Sequence, residues 1–137
     1  MNLQEAIARA ENGDIDAMVS VADYIVWEED AKSEIDPELG KKVLEYLDKA
    51  IEAGDDRAMN NLGAMYYGGR VVEQDQAKAM EWYKKAAAKG NSMSMLNLGY
   101  GYYYGQKKIL ETFDHVQIDS SFPAKRIYKL RGYKDIT

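Results

Sequence analysis

The 137-residue sequence has no cysteine, one histidine and two prolines. Without cysteine there is no disulfide framework, no thiolate zinc site and no thiol nucleophile. A single histidine, His115, excludes two-histidine metal motifs such as HExxH. No run of 18 apolar residues occurs, so no membrane span is expected. The opening MNLQEAIARAENGD has neither a basic nor an apolar leader region, which argues against a signal peptide and makes the cytoplasm the default address. Positive charge is also scarce. Eighteen Lys and Arg face 23 Asp and Glu, a net charge of −5. A phosphate-binding surface needs a basic excess, so nucleic acid is not expected as the partner. The imbalance is uneven: residues 1–105 hold 11 basic and 19 acidic side chains, and residues 106–137 hold 7 and 4. The composition therefore shifts near Gly105. A chain of this length buries roughly two-thirds of its unfolded surface and needs no metal or covalent staple.

What the sequence does have is an internal repeat. The segments ENGDIDAMVSVADYIV, EAGDDRAMNNLGAMYY and AKGNSMSMLNLGYGYY align on Gly13, Gly54 and Gly90, which lie 41 and 36 residues apart. Periods of this size belong to stacked helical hairpins. Each glycine is followed four residues later by a small residue: Ala17, Ala58 and Ser94. Four further on come Val21, Leu62 and Leu98, then Ala22, Gly63 and Gly99, then Ile25, Tyr66 and Tyr102. Offsets of 0, 4, 5 and 8 share one helix face, so they predict a first helix, A, with one buried stripe. A mid-helix glycine costs about 1 kcal/mol relative to alanine. Its recurrence at 63 and 99 points to close approach of a neighbouring helix.

Helix A is expected to stop at Gly68-Gly69 in one copy and at Gly105 in the next, glycine being suited to the left-handed C-terminal cap. A second helix, B, is expected behind Asp36-Pro37 and again behind Asp75. Its stripe is Val43, Tyr46, Leu47, Ala50 and Ile51 in one copy, and Ala79, Trp82, Tyr83, Ala86 and Ala87 in the other.

The segment from Ala58 to Gly90 resembles a Sel-1-like repeat, a relative of the tetratricopeptide repeat. The matching residues are Leu62-Gly63, Tyr66, Gly69, Val71 or Val72, Asp75, Lys78-Ala79, Trp82-Tyr83, Lys85-Ala86-Ala87 and Gly90. The resemblance covers roughly residues 14–105. It implies an all-α fold, an α/α right-handed superhelix of antiparallel hairpins whose A helices line the concave side. It also implies an adaptor that holds other proteins together, as family members do in bacteria and in eukaryotic quality-control complexes. The expected organisation is an N-terminal partial helix (1–13), a degenerate repeat (14–54), a full repeat (55–90), helix A of a third (91–105) and a divergent segment (106–137). The first repeat departs from the pattern with Val21-Ala22 in place of Leu-Gly. It also carries an extended acidic loop with Glu28, Glu29, Asp30, Glu34, Asp36 and Glu38 around Lys32. In the last segment a short helix over 107–113 and another capped by Ser121, with Pro123 in its first turn and Gly132 after it, are expected of a C-terminal cap. A flexible tail is the alternative.

No residue stands out for chemistry. His115 beside Asp114 has the setting of a surface histidine, and EEDAKSEIDPE lacks the alternating ligands of a calcium loop. GGRVV lacks the Gly-Lys-Ser/Thr ending of a phosphate loop. No catalytic residue, metal or cofactor is assigned. The free positions of helix A remain. Offset 3 gives Ser20, Asn61 and Asn97, and offset 7 gives Tyr24, Met65 and Gly101. Offsets 9 and 10 give Val26-Trp27, Tyr67-Gly68 and Tyr103-Tyr104. Asparagine hydrogen-bonds a peptide in both directions, and Tyr and Trp supply large rigid contact area. Tyr24, Trp27, Asn61, Met65, Tyr67, Asn97, Tyr103 and Tyr104 are therefore the candidate groove for a protein or peptide partner. The plainer role of the same positions is structural, with asparagines tying turns and tyrosines sealing helix ends. Self-association through a solenoid end, as a homodimer, and a small-molecule enzyme are the rival functions.

Overall fold

A two-residue signal at each repeat boundary organises the chain. Gly13, Gly54 and Gly90 adopt positive φ values of 91°, 83° and 95°, which closes the preceding helix. The next residue caps the following helix: Asp14 accepts from the Ala17 amide (3.2 Å), Asp55 from Arg57 (2.9 Å) and Asn91 from Ser94 (2.8 Å). The computed structural model describes residues 1–27 and 35–114, with side chains through Gly105. Six helices result: α1 (Leu3–Glu11), α2 (Ile15–Trp27), α3 (Pro37–Glu52), α4 (Asp56–Gly68), α5 (Gln76–Ala88) and α6 (Ser92–Asp114). The two B-type starts form as expected, with Asp36 accepting from Glu38 (3.2 Å) ahead of Pro37 and Asp75 accepting from Lys78 (3.0 Å). Most of the acidic loop, His115, Ser121, Pro123 and Gly132 lie outside the described residues.

The chain forms two compact units, Met1–Leu98 and Gly99–Thr137. In the first, α1 packs on α2, α2 on α3 and α4, α3 on α4, and α4 on α5. The interior holds most of the expected stripes: Ala17, Val21, Ala22 and Ile25 from α2, Val43, Tyr46, Leu47 and Ala50 from α3, and Ala58 and Leu62 from α4, whereas Ile51, Tyr66, Trp82 and Ala87 are half-buried. Ala79, Tyr83 and Ala86 of α5 are buried as well. Among the described residues there is no strand, and the architecture is an all-α helical-repeat solenoid. Gly63 shows why its position takes no side chain. A β-carbon there would lie 2.7 Å from Cε1 of Tyr83 and 3.2 Å from the carbonyl oxygen of Ala79, so α5 occupies the notch.

The third copy differs from expectation. Helix α6 does not stop at Gly105 but runs on to Asp114, taking in the short helix expected over 107–113. Glycine ends a helix when it turns left-handed and the following amide closes back, as at Gly69 (φ 69°), where Arg70 N–H donates to the Met65 carbonyl (2.9 Å). Gly105 remains helical and bears only the modest propensity cost of a mid-helix glycine, about 1 kcal/mol. The α6 stripe is also less covered than in the first two copies. Leu98 is half-buried, Gly99 is exposed and Tyr102 is 57% exposed. Among the described residues no B-type helix follows α6, and a β-carbon at Gly99 would meet nothing within 4 Å. In the second unit Tyr100 and Tyr104 stack at 6.3 Å between ring centroids, and Tyr103 meets Tyr104 edge-on at 5.3 Å.

Candidate functional site

Helix α2 carries Ser20, Asp23, Tyr24 and Trp27 at spacings of 3, 4 and 7, which places them on one face. Opposite them lie Leu3 and Ala6 of α1. Together these residues line a cavity of about 380 Å³ with Met1 and Asn2 at its edge. Trp27 is 49% exposed and Tyr24 half-buried, so the walls are aromatic and open to solvent. The N-cap bond from the Glu5 amide to Asn2 (2.8 Å) fixes the start of α1 at the rim.

Asp23 is the one charged side chain of the lining. Its carboxylate accepts from the Asn61 amide of α4 (2.8 Å). Burial pushes the Asp23 carboxyl above the usual range, against the opposing pull of Asn61, of the Arg57 charge and of the Trp27 indole. Arg57 is itself engaged by Asp16 and Asp55, each at 2.6 Å. Sequence patterning passed over Asp23. The available signal was its isolation as the one charge within AMVSVADYIVW.

The structure disperses the eight candidate groove residues. Tyr24 and Trp27 share the α1/α2 cavity. Asn61 is only 2% exposed and Met65 fully buried, so both lie beneath the surface rather than on it. Asn61 spends its amide on Asp23. Asn97 is half-buried and donates to Oδ1 of Asn60 (3.0 Å), which also receives the Ser94 hydroxyl (2.7 Å). These asparagines join successive A helices, α2 to α4 and α4 to α6. Tyr67 is half-buried at the end of α4, outside the cavity. Tyr103 and Tyr104, 63% and 51% exposed, belong to the second unit.

A second polar cluster lies between α1 and α3. Glu11 accepts from the Tyr46 hydroxyl at 2.5 Å and from Lys42 at 2.9 Å. Tyr46 and then Lys42 hold the Glu11 carboxyl below its usual range. Burial, reinforced by Glu11, pushes the Tyr46 phenol up to about 12. This cluster joins two helices. Among the described residues no three His, Asp or Glu side chains converge in a way that would hold a metal ion. No helix among them is long and apolar enough to cross a membrane.

Comparison with known proteins agrees with this architecture. The Sel1 repeat signature matches residues 44–55, 56–91 and 92–112. Among solved structures, a protective antigen of uropathogenic Escherichia coli strains displaying an SLR fold is similar, with a TM-score of 0.58 and 33% identity over 77% of this chain. The chain spans 21% of that antigen's length. No curated protein matches.

Proposed function

The chain belongs to the Sel1 repeat family, and from that premise we propose that it is a non-catalytic adaptor that holds a protein or peptide partner on the exposed face of its A-type helices. Repeats of this family generally mediate protein–protein interaction. The observation that carries the proposal is the division of labour within α2. Its Ala17, Val21, Ala22 and Ile25 face is consumed by packing, while Tyr24 and Trp27 remain open around a cavity that no described side chain fills. Aromatic residues at such positions supply most of the energy at many interfaces. Tyr67, half-buried at the end of α4 at the repeat position of Val26, is the aromatic the second repeat offers near the same helix end, with Asn61 and Met65 buried beneath.

The test is capture of the partner by the intact chain. Replacing Tyr24 and Tyr67 together by alanine should weaken capture at least roughly tenfold while the protein still unfolds cooperatively, at a lower temperature because Tyr24 packs partly against the core. Undiminished capture by this double variant would exclude the A-helix face.

Self-association is a second proposal, favoured by one observation. Among the described residues, α6 exposes Met93, Met95 and Leu96 within the first unit, and Tyr100, Tyr102, Tyr103 and Tyr104 within the second. Light scattering over a concentration series separates a homodimer from a monomeric adaptor.

A further inference from the structure

The cavity between α1 and α2 has a chemistry more specific than a general contact surface. Its aromatic and aliphatic walls come from Trp27, Tyr24, Leu3 and Ala6, while Met1, Asn2 and Ser20 complete the lining. Its one charged side chain is Asp23. A carboxylate accepts roughly four hydrogen bonds, and Asn61 and the Trp27 indole account for two of them. Arg57, the cation whose charge acts on Asp23, is held by Asp16 and Asp55. The first unit is also acidic overall, with 11 basic and 19 acidic side chains over residues 1–98.

A cation on a flexible hydrocarbon stem satisfies all of these features at once. Its methylenes lie against apolar walls, its charge meets the carboxylate, and the ring faces add cation–π attraction. An anionic occupant would meet the Asp23 carboxylate with like charge, and a purely apolar one would leave its remaining acceptor positions without a donor. We propose that this cavity receives an arginine or lysine side chain from a basic segment of the protein partner, with Asp23 as its counter-ion and Tyr24 and Trp27 as its walls. The proposal rests on the adaptor function above and names the charge of the partner. It also gives Asn61 a purpose besides joining helices, since its amide holds the Asp23 carboxylate in place.

The chain has two tryptophans, so an indole N–H spectrum of the intact protein contains a reporter, Trp27, and a remote reference, Trp82. The probes are the heptapeptide Gly-Ser-Gly-Arg-Gly-Ser-Gly and the same peptide with citrulline or glutamate at the centre. The arginine peptide should shift the Trp27 signal in a saturable way and leave Trp82 in place, while the other two peptides should not. Asp23→Asn should weaken this binding roughly tenfold, as expected for loss of a charge-assisted pair, and Tyr24→Leu should weaken it too. Glu52→Gln on α3 should leave it within about twofold, as expected of a screened surface charge. Equal shifts with the arginine and citrulline peptides, no Trp27 shift, or equal losses in Asp23→Asn and Glu52→Gln would overturn the proposal. The adaptor function is tested separately by the Tyr24 and Tyr67 double variant. Loss of capture there without arginine selectivity here removes only the cation pocket.

Discussion

Two glycines at the same repeat position make opposite predictions. Gly63 is closed over by Tyr83 and Ala79 of α5, whereas a β-carbon at Gly99 would meet nothing within 4 Å among the described residues. Gly63→Ala should therefore destabilise the protein, because overpacking of about 1–3 kcal/mol exceeds the helix-propensity gain of at most about 1 kcal/mol. Gly99→Ala should be neutral or stabilising by up to about 1 kcal/mol. Urea unfolding of both variants checks the contrast, and equal effects would contradict the assigned packing. The Glu11–Tyr46 contact gives a prediction in pH. The Glu11 carboxyl titrates below its ordinary 4.5, so its contribution to stability is present above that value and lost as pH falls through the lowered one. Tyr46, pushed up to about 12, contributes fully below the ordinary 10 and loses that contribution as pH rises from there. Tyr46→Phe should move the Glu11 titration back toward the ordinary value, as measured by carboxyl NMR shifts. An unmoved titration would mean that Tyr46 does not hold it. The close approach at Gly63 was legible from its recurrence in the repeat. Asp23 was not, because a lone carboxylate in an apolar run shows its role only when Asn61 and Trp27 are brought beside it.

At the scale of the helix, start signals were legible and one stop signal was not. Asp36-Pro37 and Asp75 cap helices because a short acceptor side chain reaches the free amides of the first turn. Gly105 was expected to end α6, yet a glycine is only permissive. Termination at Gly69 also uses the Arg70-to-Met65 hydrogen bond and the docking of Val71, at φ 64°, over Gly40 of α3. The asparagines show the same limit of sequence patterning. A polar residue on a helix is assigned to solvent by default, but Asn61 and Asn97 find partners on the preceding A helix. Asn61→Ala should thus destabilise by about 1–3 kcal/mol, because it deprives the half-buried Asp23 of one of its two donors. Leu62→Ala, which empties the α4 stripe, should cost about 2–5 kcal/mol. Thermal unfolding checks both, and parental melting of Asn61→Ala would place that residue at the surface after all.

For the molecule as a whole, stacking uses up one face of α2 and of α4, and the proposed role gives the other face to a protein partner. The repeat, its hairpin order and its seams were readable because small, large and aromatic residues recur at helical spacing across Met1–Leu98. The partner-facing surface was readable only in part, since an unused helix position is occupied either by a neighbouring repeat or by a ligand, and periodicity does not distinguish the two. The most direct measurement is site-specific photo-crosslinking of the purified partner to the intact chain, with the photoreactive residue placed in turn at Tyr24, at Tyr67 and at Lys84 on α5. Covalent capture is expected from Tyr24 and Tyr67 and not from Lys84. Capture from Lys84 with none from the two tyrosines would contradict the proposed role.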